Sequence, residues 1–189
     1  MGVFQLTANR WESLLNEIEI INGPIKWVPS TEQLDEYEAE TGFRLPASYR
    51  EFVQLFGAGT LACDFLVCSP ASGEGRRVDL HTSNQFVHAC MEDELEEYCD
   101  DPELFRRLHF FSQSGEHEED FGWDPTDITV DGEYAVYVIY SHSMKIERIA
   151  NSFEEFVREV CLGPGYFSYF KIDTWVNAVP QNSFEPERD

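Results

Sequence analysis

The sequence is poor in positive charge: 13 Lys and Arg stand against 36 Asp and Glu in 189 residues, a formal net charge of −23. Non-specific binding to nucleic acid depends on Lys and Arg that neutralise phosphates, so this class of function is disfavoured. Anionic membrane surfaces are disfavoured for the same reason. We therefore expect no direct nucleic-acid or membrane partner, and basic proteins or cations are the favoured ligands.

Targeting and membrane-spanning segments are also missing from the sequence. Residues 1–7 contain no basic region followed by an apolar run, and no stretch reaches the roughly 18 apolar residues of a membrane span. The five cysteines include no CxxC pair and fit neither a disulfide framework nor a common zinc motif. We expect reduced thiols in a cytoplasmic protein, with Cys63 and Cys68 buried in a strand.

Catalytic motifs are missing as well. The sequence has no Gly-x-Ser-x-Gly elbow, and its five His residues form no local constellation that would mark one as a base. Residues 57–59 (GAG) begin like a dinucleotide fingerprint but follow a helical pattern, which favours a helix stop with a tight turn. We expect no catalytic residue, cofactor or metal. A hydrolase that uses paired carboxylates, Asp124 among them, is the disfavoured alternative.

The sequence does have enough apolar mass for a core. Hydrophobic residues make up 42% of the chain and aromatic residues 14%, and a domain of this length buries roughly 70% of the surface that its unfolded chain exposes. No repeat, linker or composition break divides it. We predict one α+β domain over residues 1–179, with an aromatic extension at 163–179, followed by a polar tail at 180–189 that frays.

Periodicity predicts three helices in the first third of the chain. Apolar residues recur at three- and four-residue steps over residues 7–21, which indicates an amphipathic helix. A second helix opens at Ser30 with Gln33 in capping-box spacing, and it closes at Gly42. A third helix starts at Pro46 and stops at the next glycine.

The rest of the chain combines strands with further helices. Residues 60–69 are predicted to form a strand and residues 81–99 one helix, with Phe86 and Cys90 on its buried face. The remaining predicted elements are a short helix at 102–108, strands at 109–113, 120–123, 134–141 and 145–150, and a helix at 152–161 opened by Ser152 and Glu155 as a second capping box.

Negative charge is concentrated in residues 92–133, which carry sixteen acidic and two basic residues. The Debye length at physiological salt is about 8 Å, so a local cluster acts on a partner more strongly than the total charge does. The stretch indicates either a solvated surface that aids solubility or a face that steers a basic partner. The predicted partner-binding residues are Glu116, Glu118, Glu119, Asp120, Phe121, Trp123, Asp124 and Asp127.

Two features of this stretch have alternative interpretations. The acidic residues around His117 could bind a divalent cation, but the alternation and the central glycine of a calcium loop are missing. A solvated acidic loop is the simpler interpretation. Phe121 and Trp123 could anchor an interface, because aromatic residues are enriched at binding hot spots. Aromatic residues in a strand are more often part of the core, which is the favoured interpretation.

Residues 30–57 resemble the opening signature of the SUKH superfamily, the Smi/Knr-like group named for fungal cell-wall assembly regulators. Later segments of the signature follow in the right order, including FGWD at 121–124, and the resemblance covers roughly residues 30–162. The residues that carry it are Gly42, Leu45, Pro46, Tyr49, Phe52, Gly57, Ser152, Phe153 and Phe156.

The resemblance implies a mixed, mostly antiparallel sheet with helices packed around it, in a binding protein rather than an enzyme. In bacteria the family's usual role is that of an immunity protein, which neutralises a nuclease or another toxin domain. The fungal relatives act as signalling scaffolds. We therefore expect an immunity protein for a basic cytoplasmic toxin domain, and a general interaction or regulatory module is the alternative.

Overall fold

The fold is known from a computed structural model that describes residues 9–70, 78–115, 118–130, 132–165 and 182–187. Most of the predicted aromatic extension, residues 166–179, lies outside the described residues. The helices are α1 (Glu12–Glu17), α2 (Thr31–Thr41), α3 (Ala47–Phe56), α4 (Leu80–Met91), α5 (Leu95–Tyr98), α6 (Pro102–Arg107), α7 (Phe153–Glu155) and a π-helix (Phe156–Cys161). The strands are β1 (Glu19–Ile20), β2 (Gly59–Leu61), β3 (Phe65–Val67), β4 (His109–Ser114), β5 (Glu119–Ile128), β6 (Tyr134–Tyr140), β7 (Lys145–Ala150) and β8 (Ser183–Pro186).

The eight strands of the described residues form one sheet in the order β1-β8-β2-β3-β4-β5-β6-β7. The β1–β8 pair is parallel, and every other neighbouring pair is antiparallel. Helices cover both faces of the sheet. The structure thus confirms the α+β class and the mixed, mostly antiparallel sheet.

The elbow between α2 and α3 forms as the sequence predicts. The Ser30 side chain accepts a hydrogen bond from the Gln33 amide at 3.3 Å, and the Gln33 side chain accepts one from the Ser30 amide at 2.9 Å. This capping box satisfies amides that have no partner within the helix. Gly42 ends α2 with a left-handed φ of 69°, which explains the glycine at this position.

The main core lies between the sheet and the layer that contains α1, α2, α3, α7 and the π-helix. The family-motif side chains of Leu45, Tyr49, Phe52, Phe153 and Phe156 are all buried in it. The Tyr49 hydroxyl donates to the Cys68 carbonyl at 2.6 Å, so its polar end is satisfied inside the core. Each of these large side chains contributes roughly 1.5–3 kcal/mol by burial.

A second, smaller core lies on the opposite face of the sheet, under α4, α5 and α6. Its members are Val87, Leu95, Phe105, Leu108, Phe110, Ile139 and Met144. Two hydrogen bonds attach α4 to the sheet side of this core: Asn84 accepts from the Phe110 amide at 2.8 Å, and His88 Nε2 donates to the Leu108 carbonyl at 3.0 Å. The α4–α6 layer is therefore fixed in position over the central strands.

Two predicted elements near the N-terminal half are corrected by the structure. The helix predicted over 7–21 ends at Glu17, because Ile18 is extended and Glu19–Ile20 pairs with β8. The strand predicted over 60–69 is the β2–β3 hairpin, in which Ala62 and Cys63 take positive φ angles of 55° and 60°. Cys68 is buried as predicted, whereas Cys63 is exposed at the turn.

The helix predicted over 81–99 is divided into α4 and α5. Val87 and Leu95 are buried, but Phe86, predicted to be buried, is 63% exposed, and Cys90 is exposed as well. Both lie outside the narrow stripe of α4 that faces the sheet. The helix predicted over 152–161 also differs, because it continues as a π-helix. Its capping box is half formed: Ser152 accepts from the Glu155 amide, while the Glu155 carboxylate accepts from the Asn151 amide instead.

The prediction of a frayed polar tail at 180–189 is wrong for residues 182–187. Strand β8 lies inside the sheet, parallel to β1 on one side and antiparallel to β2 on the other. Phe184 is fully buried and its ring packs against Phe52 and Phe56 at centroid distances of 6.2 and 5.2 Å. The polar composition of this segment conceals one large apolar side chain that points into the main core.

Candidate partner-binding surface

The aromatic residues predicted to contact a partner are part of the core. Phe121 and Trp123 are fully buried, and the Trp123 ring stacks on Phe111 at a centroid distance of 4.0 Å. Both side chains point from the central strand β5 toward the layer of α3 and α7. The prediction of partner contacts is therefore wrong for these two residues, and the core interpretation is correct.

Two predicted carboxylates have intramolecular partners. Asp124 is buried and accepts hydrogen bonds from the Thr126 amide at 2.9 Å and from Arg107 at 3.2 Å. Burial alone would raise the pKa of Asp124, but these bonds outweigh it and the pKa lies below its usual range. Asp127 accepts from the Tyr137 hydroxyl at 2.8 Å and pairs with Arg148 at 3.2 Å. These carboxylates hold strand β5 to its neighbours.

The four remaining predicted carboxylates lie in the chain at or just before the first residues of β5. Glu119 and Asp120 are buried on opposite faces of the strand, Glu118 is exposed, and Glu116 lies outside the described residues. Burial, followed by the negative charges of Asp120 and Asp64, raises the pKa of Glu119 to about 7. Of the predicted binding carboxylates that the structure describes, Glu118 is the one that is freely accessible.

Glu133, another carboxylate of the acidic stretch, has a structural role. It is buried, and it accepts hydrogen bonds from the backbone amide of Ser48 at 2.7 Å and from the Ser48 hydroxyl at 2.6 Å. Ser48 is in the first turn of α3, so a carboxylate distant in sequence satisfies an amide at the start of this helix.

The exposed negative charge is concentrated instead on the α4–α6 layer. All eight carboxylates between residues 92 and 103 are exposed. We define them as the acidic face: Glu92, Asp93, Glu94, Glu96, Glu97, Asp100, Asp101 and Glu103. Arg106 pairs with three of them at 2.7–3.6 Å, whereas Arg107 is turned away toward Asp124. The acidic face therefore keeps a large excess of negative charge.

The backbone under the acidic face is held by specific contacts. Asp101 caps α6 by accepting from the Leu104 amide at 3.0 Å, and Asp100 accepts from the Ile146 amide of β7 at 3.2 Å. Leu95 and Phe105 anchor α5 and α6 in the second core. Because these anchors are buried, the carboxylates present a defined surface and not a loose loop.

Exposed apolar side chains lie beside the acidic face. Tyr98 is 58% exposed on α5, and Phe86 is 63% exposed on α4. A groove of about 340 Å³ separates α4 from the ends of the central strands. Its lining is Phe86, Val87, Cys90 and Met91 from α4, and Gln113, Ser114, Gly115, Glu118, Asp120 and Ser141 from the sheet side.

Tyr37 and His109 form a buried hydrogen-bonded pair between α2 and β4. The Tyr37 hydroxyl and His109 Nε2 are hydrogen-bonded at 2.7 Å, and His109 stacks on Phe43 with a centroid distance of 3.9 Å. Burial lowers the pKa of His109 to about 3 and raises that of Tyr37 well above its usual range. Both pKa values therefore lie far from neutral pH, whereas general acid–base catalysis favours a pKa near the operating pH.

The described ranges contain no group of three or more His, Cys, Asp or Glu side chains arranged to hold a metal ion. None of the helices in the same ranges combines the length and the apolar character needed to cross a membrane.

Comparison with known proteins decides the family. The model of the SMI1/KNR4 family (SUKH-1) matches residues 29–159, which is more than half of the chain. The chain belongs to the SMI1/KNR4 family. No curated protein and no solved structure matches it. The family match ends before β8, and it spans the elbow, the α4–α6 layer and strands β2 to β7.

The residues predicted to bind a partner do not include the acidic face, although its negative charge is evident in the sequence. The run from Glu92 to Glu103 has few apolar residues, and Leu95 alone separates the first three carboxylates from the next two. That pattern indicates a solvated surface anchored at one point. In residues 120–124, by contrast, Phe121 and Trp123 are separated by one residue and flanked by aspartates. This spacing is the two-residue period of a strand.

Proposed function

We propose that this member of the SMI1/KNR4 family is a non-enzymatic cytoplasmic binding protein, an immunity protein that neutralises a basic toxin domain. The acidic face is its contact surface. The observation that carries the proposal is the clustering of eight exposed carboxylates with one paired arginine on a layer that buried side chains hold in place.

Electrostatics supports this surface as a point of capture. Exposed charges act over about one Debye length, so carboxylates confined to one layer create a local field that the total charge alone would not. Such a field raises the association rate of a basic partner by roughly 10- to 1,000-fold at low salt.

A nuclease is the preferred class of toxin because nuclease clefts bind phosphates through Lys and Arg. Carboxylates that accept charge-assisted hydrogen bonds from those side chains would occupy the phosphate positions. Inhibition would then follow from blocking access to the cleft and would require no chemistry by the immunity protein.

The second candidate function is a general interaction or regulatory module like the fungal scaffolds. It is favoured by the same family match, because the family-motif side chains are buried and specify the fold rather than a partner. A neighbouring reading frame for a lethal domain would favour immunity, and a healthy deletion strain with an altered envelope would favour the scaffold.

The proposal is tested by affinity capture from the native host, followed by identification of the protein that binds stoichiometrically. The captured domain is then expressed with a variant in which Glu94, Glu96 and Glu97 are replaced by Gln. We expect this variant to lose the ability to protect cells from the captured toxin domain. The three substitutions remove negative charge from α5 and its N-terminus without changing a side chain of the second core.

The matched control replaces Glu32, Glu36 and Glu40 of α2 by Gln; these three residues are also exposed and carry the same total charge. The control should protect as well as the unaltered protein. Equal protection by both triple variants would contradict the acidic face as the contact surface, and a captured partner that is not toxic would favour the scaffold.

A further inference from the structure

The groove beside the acidic face has two chemically different walls. The α4 wall is apolar at the surface, with Phe86, Cys90 and Met91 lining it, and Val87 is buried beneath. The opposite wall carries two carboxylates, Glu118 immediately before β5 and Asp120 two residues further along the chain. The two carboxylates differ in solvent accessibility: Glu118 is exposed, whereas Asp120 is only 3% exposed.

The exposure of Phe86 is not explained by the fold. The buried side chains of α4 are Leu80 and Val87, and these attach the helix to the body. Among the described residues outside the β5–β6 turn region, Phe86 is the most exposed large apolar side chain. A large exposed aromatic side chain beside a groove is typical of a contact surface.

We propose that this groove binds one long cationic side chain, an arginine or lysine, of the basic partner. The inference rests on the proposed function and specifies where the partner is anchored. Arginine and lysine have an apolar stem and a charged end, which match the apolar wall and the acidic wall respectively. An arginine guanidinium can also lie against the face of Phe86 while it donates to the exposed Glu118 carboxylate, and the negative charge of Asp120 lies nearby.

Other occupants fit these walls less well. An anionic group is repelled by Glu118 and Asp120 and by the acidic face. A purely apolar side chain would remove the exposed Glu118 carboxylate from water without offering it a hydrogen-bond donor, which is costly. The volume of about 340 Å³ suits a side chain or a short peptide segment rather than a folded element.

The groove is continuous with the acidic face. Met91 lines the groove at the end of α4, and Glu92, the first carboxylate of the acidic face, follows it directly. A basic domain that is attracted by the acidic face can therefore contact the groove at the same time, in one orientation. In this arrangement the acidic face accelerates the encounter, and the groove slows dissociation by burying one anchor side chain.

The proposal is tested with three short peptides and the full chain, followed by nuclear magnetic resonance of the backbone amides. The probes are acetyl-Gly-X-Gly-amide with X as arginine, as norleucine, which has a stem without charge, and as diaminopropionate, which has charge on a short stem. We expect the arginine peptide to shift the amides of Gly115, Glu118 and Ser141 most strongly and the other two peptides to bind at least several-fold more weakly.

Two aromatic variants separate the groove from general charge attraction. Phe86→Ala should lower the affinity of the protein for the arginine peptide by roughly two- to fivefold, because the guanidinium loses its contact with the face of the ring. Tyr98→Ala, which removes a comparably exposed ring from α5, should leave its affinity unchanged. Both side chains are more than half exposed, so both variants should fold, which circular dichroism would confirm.

Several outcomes overturn the proposal. They are equal binding of the norleucine and arginine peptides, equal effects of the two aromatic variants, and shifts confined to residues 92–103. A dimer that Phe86→Ala dissociates would also overturn it, because a second copy would then occupy the groove. Loss of protection in the Glu94, Glu96 and Glu97 variant without any groove binding would refute the groove alone and leave the proposed function standing.

Discussion

Glu119 should make the stability of the protein depend on pH in a direction opposite to that of an ordinary paired carboxylate. Its side chain is 9% exposed, and its Oε2 atom has no hydrogen-bond partner among the residues that the structure describes. Burial and the nearby charges of Asp120 and Asp64 raise its pKa from an ordinary 4.5 to about 7. The folded protein therefore holds a proton on Glu119 that the unfolded chain has already lost.

The sign and size of the effect follow from this difference. Between pH 4.5 and pH 7 the folded state binds more protons at Glu119 than the unfolded state, so the free energy of unfolding falls as the pH rises. Each unit of pKa difference corresponds to about 1.4 kcal/mol, and the part of the loss that falls between pH 5 and pH 8 is on the order of 2–3 kcal/mol. The Glu119→Gln variant is neutral at every pH and should lack this loss.

The assay is urea unfolding at pH 5, 6, 7 and 8, with the free energy of unfolding compared between the natural protein and Glu119→Gln. The many other carboxylates also contribute to the pH dependence, so the informative quantity is the difference between the two curves. Glu118→Gln is the matched control, because this neighbour is exposed, and its curve should run parallel to that of the natural protein. Parallel curves for Glu119→Gln as well would refute the reasoning.

Four further substitutions, two of them compared with each other, test how the fold is held together, each by urea or thermal unfolding. Glu133→Ala should lower the free energy of unfolding by about 2–4 kcal/mol, because two buried donors of Ser48 lose their acceptor, and a loss below about 0.5 kcal/mol would contradict this role. Gly57→Ala should cost more than Gly42→Ala, for which about 1–2 kcal/mol is expected. Both glycines have φ near +68°, but a Cβ at 57 would lie 2.3 Å from a backbone carbonyl oxygen, so equal losses would contradict the reasoning. Phe184→Ala should cost about 3–5 kcal/mol if β8 is part of the core, and unchanged stability would show that it is not.

Features that depend on neighbouring residues could be predicted from the sequence. The capping box of Ser30 and Gln33 and the left-handed end of α2 at Gly42 are formed by residues within a few positions of each other. The turn between β6 and β7 is also local, with the Ser143 amide donating to the Tyr140 carbonyl at 2.9 Å. In such cases residue type and spacing are sufficient.

Features that depend on distant residues could not be predicted in this way. Strand β8 forms because residues 183–186 meet β1 and β2, which lie more than 120 positions earlier in the chain. The burial of Asp120 and Phe121 follows from helices that cover both faces of β5, and the pattern of the strand alone does not reveal two covered faces. The carboxylates of the acidic face are exposed because they lie on the helical layer and not in a strand that helices cover.

The most direct test of the acidic face is the salt dependence of its association rate with the captured partner domain, measured by stopped flow. We expect the rate constant of the natural protein to fall at least tenfold between about 20 and 300 mM salt, and that of the Glu94, Glu96 and Glu97 variant to fall much less. The triple variant of α2 should behave like the natural protein. The same rate constant and the same salt dependence in all three proteins would contradict the account.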